Sequence, residues 1–170
     1  HQALTSYDLA IAIKPDYAEA FNNRGIVLKE IGQIDSALRS YDRALAIRPD
    51  YAEAYINRSG ALRVARRFAE ALRSCDQAIL LRPESPEAYI NKGNVLRDLN
   101  RAEEALNNLD QAILLNSAHA QAFHNRGNTL QDMRRSEEAV ASFDKAIALK
   151  PNHAEAFHNR GHVLIDLKEH

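Results

Sequence analysis

The chain repeats itself every 34 residues, and no other property limits its possible folds so severely. Phe21-Asn22-Asn23-Arg24-Gly25 returns as Tyr55-Ile56-Asn57-Arg58-Ser59, Tyr89-Ile90-Asn91-Lys92-Gly93, Phe123-His124-Asn125-Arg126-Gly127 and Phe157-His158-Asn159-Arg160-Gly161. A period of this size marks an array of stacked units, each burying its apolar face only against its neighbours. The 170 residues hold five periods, so length here counts units rather than separate cores.

Counting each unit from Ala18, Ala52, Pro86, Ala120 and Ala154 as repeat position 1, two helical halves emerge. Residues 18–31 carry Phe21, Gly25, Leu28 and Ile31 on one side, the spacing of a one-sided helix A. Residues 35–48 do the same with Ala37, Tyr41, Ala44 and Leu45, and Pro49 ends that helix B because it lacks an amide donor and clashes with the preceding turn. Pro15, Pro83 and Pro151 write the same stop; Ser117 stands there in the remaining unit, whose B helix is expected to fray or run on. Gly32 separates A from B in the first full unit, with Arg66, Asn100 and Arg134 at the matching turns. Ser85 before Pro86 reads as a helix cap followed by a first helical residue. The array then divides into a half repeat with helix B only (1–17), four full repeats (18–51, 52–85, 86–119, 120–153) and a half repeat with helix A only (154–170).

On these residues the chain resembles the tetratricopeptide repeat proteins. That family's pattern has an aromatic at position 4, small residues at 8, 20 and 27, a bulky one at 24 and proline at 32, met here by Phe21, Gly25, Ala37, Ala44, Tyr41 and Pro49 and their equivalents. The resemblance implies an all-α, right-handed superhelical solenoid of antiparallel helix pairs whose A helices line a concave groove. Two departures stand out. The family's tryptophan is Phe or Tyr here, and its leucine at position 7 is Arg24, Arg58, Lys92, Arg126 and Arg160.

A charge on the flank of a packing helix needs a partner, because burying it unpaired is expensive. Helix B supplies an acid at one position every time, which pairs Asp8 with Arg24, Asp42 with Arg58, Asp76 with Lys92, Asp110 with Arg126 and Asp144 with Arg160 in an expected inter-repeat ladder. Exposed pairs are worth about 0–1 kcal/mol each, so the ladder is assigned to register between units rather than to stability.

Opposite the packed stripe of helix A lie positions 2, 6, 9 and 13. Position 6 is asparagine without exception, Asn23, Asn57, Asn91, Asn125 and Asn159, and position 9 adds Asn94 and Asn128. An amide offers both donor and acceptor, so such a row suits the backbone of an extended polypeptide. The row resembles the asparagine ladder in the repeat arms of O-linked N-acetylglucosamine transferases, which implies the same use and leaves open that the chain is the substrate-recognition arm of a larger glycosyltransferase. Nothing here resembles the transferase domain. A carboxylate clamp for chaperone tails needs Lys or Arg at positions 2, 5 and 6, where this chain has Glu19, Glu53, Glu87, Gln121 and Glu155 at position 2 and no Lys or Arg at 5 or 6. Glu19, Glu53, Glu87 and Glu155, together with Glu30, Asp98, Asp132 and Asp166 and partly offset by Lys29, Arg63 and Arg97 on the edge, favour a polar or mildly basic peptide.

Lys and Arg number 22 against 23 Asp and Glu, a balance without the footprint of a nucleic-acid binder or a polybasic membrane anchor. No apolar run approaches the roughly 20 residues that cross a bilayer, and the start carries no signal-peptide pattern. The compartment stays open, with a cytoplasmic setting favoured, since the lone Cys75 permits no internal disulfide; Cys75 occupies the core position of Tyr41 and Phe143. His124, His158 and His162 are the imidazoles whose spacing could bring them to one zinc or nickel ion, but no carboxylate or cysteine is placed to complete a site, and no metal or other cofactor is expected. No phosphate loop, nucleophile elbow or ligand triad is present, so an enzyme is not expected. The chain opens on a lone B helix and closes on a lone A helix, leaving Leu4, Tyr7, Phe157 and Leu164 without a cover. Residues 1–14 of one copy are therefore expected to dock on 154–170 of another, head to tail.

Overall fold

The computed structural model describes residues 2–168. Among them are ten α-helices and no strand: α1 (Gln2–Ile13), α2 (Ala18–Glu30), α3 (Ile34–Ile47), α4 (Ala52–Val64), α5 (Phe68–Leu81), α6 (Pro86–Asp98), α7 (Ala102–Leu115), α8 (Ala120–Asp132), α9 (Ser136–Leu149) and α10 (Ala154–Asp166). The fold is all-α and built of helix pairs, α2 on α3, α4 on α5, α6 on α7 and α8 on α9. The chain falls into two compact units, His1–Pro83 with α1 to α5 and Glu84–His170 with α6 to α10. No described helix is long and apolar enough to cross a membrane.

Within each pair one contact sets the helix separation. A Cβ at Gly25 would lie 2.5 Å from Tyr41 Cε1, and one at Gly127 would lie 2.6 Å from Phe143 Cε1. Gly93 meets Leu109 and the Ala105 carbonyl in the same way, at 2.9 and 3.2 Å. Where Ser59 replaces the glycine, the matching B-helix residue is Cys75, the smallest of the four, and both are fully buried. Bulk on one helix is thus traded for bulk on the other. Alanines complete the seam on the B side, with Ala37, Ala44, Ala71, Ala78, Ala105, Ala112, Ala139 and Ala146 all at 0% exposure. In the second unit the core runs through four helices, joining Leu106, Leu130, Phe143, Ala156 and Val163; each large side chain so buried contributes about 1.5–3 kcal/mol. Tyr41 carries a cost that Phe143 does not, because its buried hydroxyl has no hydrogen-bond partner, and burial pushes its ionisation well above the ordinary tyrosine value.

The A-to-B turns share one geometry. The amide of Gln33 donates to Leu28 O at 2.8 Å and that of Gly32 to Lys29 O at 3.0 Å, and Arg67, Arg101 and Arg135 repeat the long bond to Leu62, Leu96 and Leu130 at 2.9 Å. These are Schellman closures, which need a left-handed residue just past the helix. Gly32 takes it at φ 79°, but Arg66, Asn100 and Arg134 take it with side chains at φ 57°, 58° and 61°.

Two local expectations are corrected. Helix α7 ends at Leu115, in register with Ile47, Leu81 and Leu149, although no proline follows. Asn116 does the stopping, its Oδ1 accepting the Ala118 amide at 3.0 Å, a local turn that competes with helix continuation. Ser85 makes no side-chain cap to the helix backbone; its hydroxyl donates to Glu87 Oε2 at 2.8 Å. At the chain's ends Phe157 is half exposed, while Leu4, Tyr7 and Leu164 are partly buried. The more open apolar residues are Leu9 and Ile13 on α1 and Ile165 on α10, and a Cβ at Gly161 would meet nothing within 4 Å.

Candidate functional site

The A helices carry the asparagine row, and the structure ties several of its members to neighbouring amides. In the first unit Asn57 Nδ2 donates to Asn22 Oδ1 at 3.0 Å, from α4 across to α2, and Asn22 Nδ2 donates on to Asn23 Oδ1 at 3.3 Å. Asn22 is fully buried and Asn23 and Asn57 are half-buried. The lateral bond fixes the Asn57 amide nitrogen against α2. Asn91 and Asn94 on α6 are likewise half-buried.

In the second unit an imidazole holds the centre. Asn159 Nδ2 on α10 donates to Asn128 Oδ1 on α8 at 2.8 Å and lies 3.1 Å from His124 Nε2. Gln121 Nε2 donates to Asn125 Oδ1 at 2.8 Å and lies 3.1 Å from His124 Nδ1. Asn125 is buried at 6% exposure, whereas Asn128 and Asn159 are half-buried. His124 is buried too, its ring 4.8 Å from that of His153 and 5.9 Å from that of Phe143. Burial, and then the neighbouring His153, hold its protonation below the ordinary histidine value. The second residue of this network is missed by reading position 6 alone. Its signal is position 5, which varies from Asn22 through Ile56 and Ile90 to His124 and His158 beside an invariant neighbour.

The acid–base columns lie on the other flank. Arg24 Nε sits 2.6 Å from Asp8 Oδ1, Arg58 Nε 2.7 Å from Asp42 Oδ1, Arg126 Nε 2.7 Å from Asp110 Oδ1 and Arg160 Nε 2.5 Å from Asp144 Oδ1. Asp76 and Lys92 belong to different units. Three of the arginines also donate through Nη1 to a serine of the following B helix, Ser40, Ser74 or Ser142, at 2.8 Å. Ser40 and Ser142 pass the chain on to the backbone, donating to Ser36 O and Glu138 O. The serine column was readable as Ser40, Ser74, Asn108 and Ser142, but only its distance to the guanidinium gives it meaning.

The groove acids are partly answered. Arg48 Nη1 lies 2.8 Å from Glu19 Oε1, and the backbone amide at Glu19 together with Arg48 holds that carboxyl below the ordinary range. Arg97 reaches Asp132 at 3.4 Å and His119 reaches Glu87 at 3.9 Å. Of the three histidines, His158 and His162 meet, Nε2 to Nε2 at 3.1 Å, while His124 is engaged with α8 and α10 amides. Among the described residues no three His, Cys, Asp or Glu side chains are placed to hold a metal. A recess of about 410 Å³ opens between α8 and α10, lined by His124, Ala154, Glu155, His158 and Asn159.

Comparison with known proteins agrees with this architecture. No curated protein sequence matches the chain. The tetratricopeptide repeat model matches residues 18–51 and 120–153, and a second TPR repeat model matches 1–32 and 93–133. Among solved structures, the chain is similar to YrrB, described as a TPR protein with an unusual peptide-binding site, at 26% identity over 95% of this chain and 84% of that one, with a TM-score of 0.69. It is also similar to TTC0263, a thermophilic TPR protein of Thermus thermophilus, at 21% identity over 95% and 89%, with a TM-score of 0.85. MamA follows at 21% identity over 89% of each chain and a TM-score of 0.74. Repeat period, helix pairs, glycine–aromatic seam and these matches agree that the chain belongs to the tetratricopeptide repeat family.

Proposed function

We propose that the chain is a non-catalytic interaction scaffold that holds an extended polypeptide along the face of its A helices, with the position-6 asparagines as backbone contacts. The observation that carries this reading is the lateral anchoring of Asn57 to Asn22 and of Asn159 to Asn128. Each anchored amide has lost its rotational freedom before any ligand arrives, so little ordering cost remains at binding. Its nitrogen is turned to the preceding A helix, and its oxygen is left for a peptide N–H. The peptide-binding site of YrrB, a relative in fold, is in keeping with such a use. Buried Asn125 then serves chiefly to hold Gln121 and His124 in place.

The test is to select short random peptides on the wild-type chain and to measure their affinity for Asn57→Ala and Asn159→Ala, with helicity matched by circular dichroism. A loss of roughly tenfold per amide is expected, the free-energy equivalent of one well-ordered hydrogen bond, together with sensitivity to N-methylation of the peptide backbone. Unchanged affinity in both variants would remove the asparagines from the site.

A second reading has its own observation. A Cβ at Gly161 would meet nothing within 4 Å, whereas one at Gly25, Gly93 or Gly127 would meet a B helix, and Phe157 on the face of Gly161 is 49% exposed. The α1 helix of another copy has the right character to cover that face, giving head-to-tail association. Sedimentation equilibrium over a wide concentration range decides it: Phe157→Ser is expected to weaken any association, and a monomer at every concentration removes the reading.

A further inference from the structure

The recess between α8 and α10 differs in chemistry from the rest of the asparagine row. Its volume of about 410 Å³ lies at the small end of the roughly 300–1,000 Å³ typical of ligand sites, room for one long side chain. Its only formally charged lining residue at neutral pH is Glu155. Two of the equivalent acids elsewhere are engaged, Glu19 with Arg48 and Glu87 with Ser85 and His119. Glu155 makes no ion pair or side-chain hydrogen bond among the described residues. Beside it, the Asn159 nitrogen is spent on Asn128 Oδ1, so the oxygen is the free end of that amide. His158 is held edge-on by His162, ring centroids 4.5 Å apart and planes at 80°.

From these placements we infer that the recess lined by His124, Glu155, His158 and Asn159 is a subsite for a cationic side chain, a guanidinium in particular, of the polypeptide bound in the groove. The inference rests on the groove reading above for its ligand but not for its geometry. A planar guanidinium suits the site better than an ammonium for two reasons. Its fork of N–H donors can meet the Glu155 carboxylate and the Asn159 oxygen together, and its face can stack on an imidazole. The positive end of the α10 dipole works against a cation, and Ala154 and Glu155 lie within its first turn. The full charge of the Glu155 carboxylate outweighs the roughly half charge of the helix end, and His158 and Asn159 lie beyond it.

The same lining makes binding sensitive to acid. The titratable and charged groups around the recess are Glu155, His158 and His162 on α10, His153 at its cap, His124 on α8 and Arg97 on α6. Protonating His124, which burial and the neighbouring His153 hold below the ordinary histidine value, adds positive charge to the wall, so a cationic ligand is released in acid, whereas a contact made by asparagines alone does not respond.

The experiment titrates the isotopically labelled 170-residue chain with N-acetylarginine methylamide, followed by amide and side-chain NMR shifts, beside its uncharged citrulline counterpart. Saturable shifts at Ala154, Glu155, His158 and Asn159 are expected for the arginine compound. They should weaken at least about fivefold with citrulline, as the loss of a charge-assisted bond requires, and similarly in Glu155→Gln and on going from about pH 7.5 to about pH 5.5, which brackets the ordinary histidine value. Equal binding of the two compounds, or no saturable shift at these residues, overturns the subsite. Because the probe has no extended backbone, failure of the groove is separable. An arginine compound that binds where no selected peptide responds to Asn57→Ala keeps the subsite and removes the groove, and the converse removes only the subsite.

Discussion

Between α2 and α4 the lateral contact is made by two amides alone, Asn57 to Asn22; between α8 and α10 the amide bond of Asn159 to Asn128 is joined by His124, whose ring meets Asn159 at one nitrogen and Gln121, itself bonded to Asn125, at the other. The first arrangement cannot titrate and the second can. A parallel contrast sits one layer deeper, where Gly25 packs on Tyr41 and Gly127 on Phe143. The two rings leave the same gap, but only Tyr41 carries a buried hydroxyl without a partner. A repeat thus fixes helix separation strictly and polarity loosely, and differences between units collect in the polar groups.

The strongest way to break the comparison is to make one substitution at two glycines. Gly127→Ala drives a methyl into Phe143 and is expected to destabilise the chain by about 1–3 kcal/mol. Gly161→Ala meets nothing and is expected to stabilise by roughly 0.5–1 kcal/mol through helix propensity. Urea denaturation of the two variants should therefore shift in opposite directions, and a shared sign would mean that packing does not select the glycine. Next in size, Tyr41→Phe removes the orphan hydroxyl and should gain about 1 kcal/mol, and Phe143→Tyr, which buries a new hydroxyl, should lose about as much; thermal melts of the pair check both signs. Smaller again, Arg134→Gly and Arg66→Gly relieve a left-handed backbone and should gain up to about 1 kcal/mol, reduced by the freedom glycine adds to the unfolded chain. Asn100→Gly should gain less, because asparagine tolerates that conformation.

The last effect is a slope rather than an offset. Protonating His124 would set an N–H against an amide nitrogen on both sides of the ring. Its folded value lies below the unfolded one of about 6.5, so the unfolded chain binds the extra proton. The stabilisation is complete above about pH 6.5 and is lost as pH falls through that value towards the lowered one. His124→Asn should flatten the pH dependence of the urea midpoint over this range, while Asn22→Asp in the first unit should add an acid-dependent slope at a contact that has none as two amides.

Much of this was legible without coordinates. Thirty-four-residue spacing, prolines and the one-sided apolar pattern locate the helices, because local periodicity and backbone chemistry decide them. The columns of acids, bases and asparagines were visible as columns. What could not be read was which neighbours compete for each polar group. Asn57 looks solvated on a helical wheel until α2 brings Asn22 to 3.0 Å. His124 looks like a groove residue until α10 and the ring of His153 close over it. Asn116 stands in for a missing proline through a side-chain bond that no periodicity encodes. Each of these depends on distances between helices or on a local side-chain bond, which the pattern of a single helix does not contain.

The forked arginines bear on how the array comes apart. Arg58 holds Asp42 of the B helix before it and Ser74 of the B helix after it, so one side chain belongs to three helices. Removing it costs little while all three are folded, given the exposure of the pair. Its value appears at the frontier of a partly unfolded molecule, where repeat 52–85 facing a melted repeat 18–51 loses the Asp42 bond and keeps only the one to Ser74. In a one-dimensional array such frontiers are what cooperativity charges against, so Arg58→Ala should leave the unfolding midpoint nearly unchanged and broaden the transition.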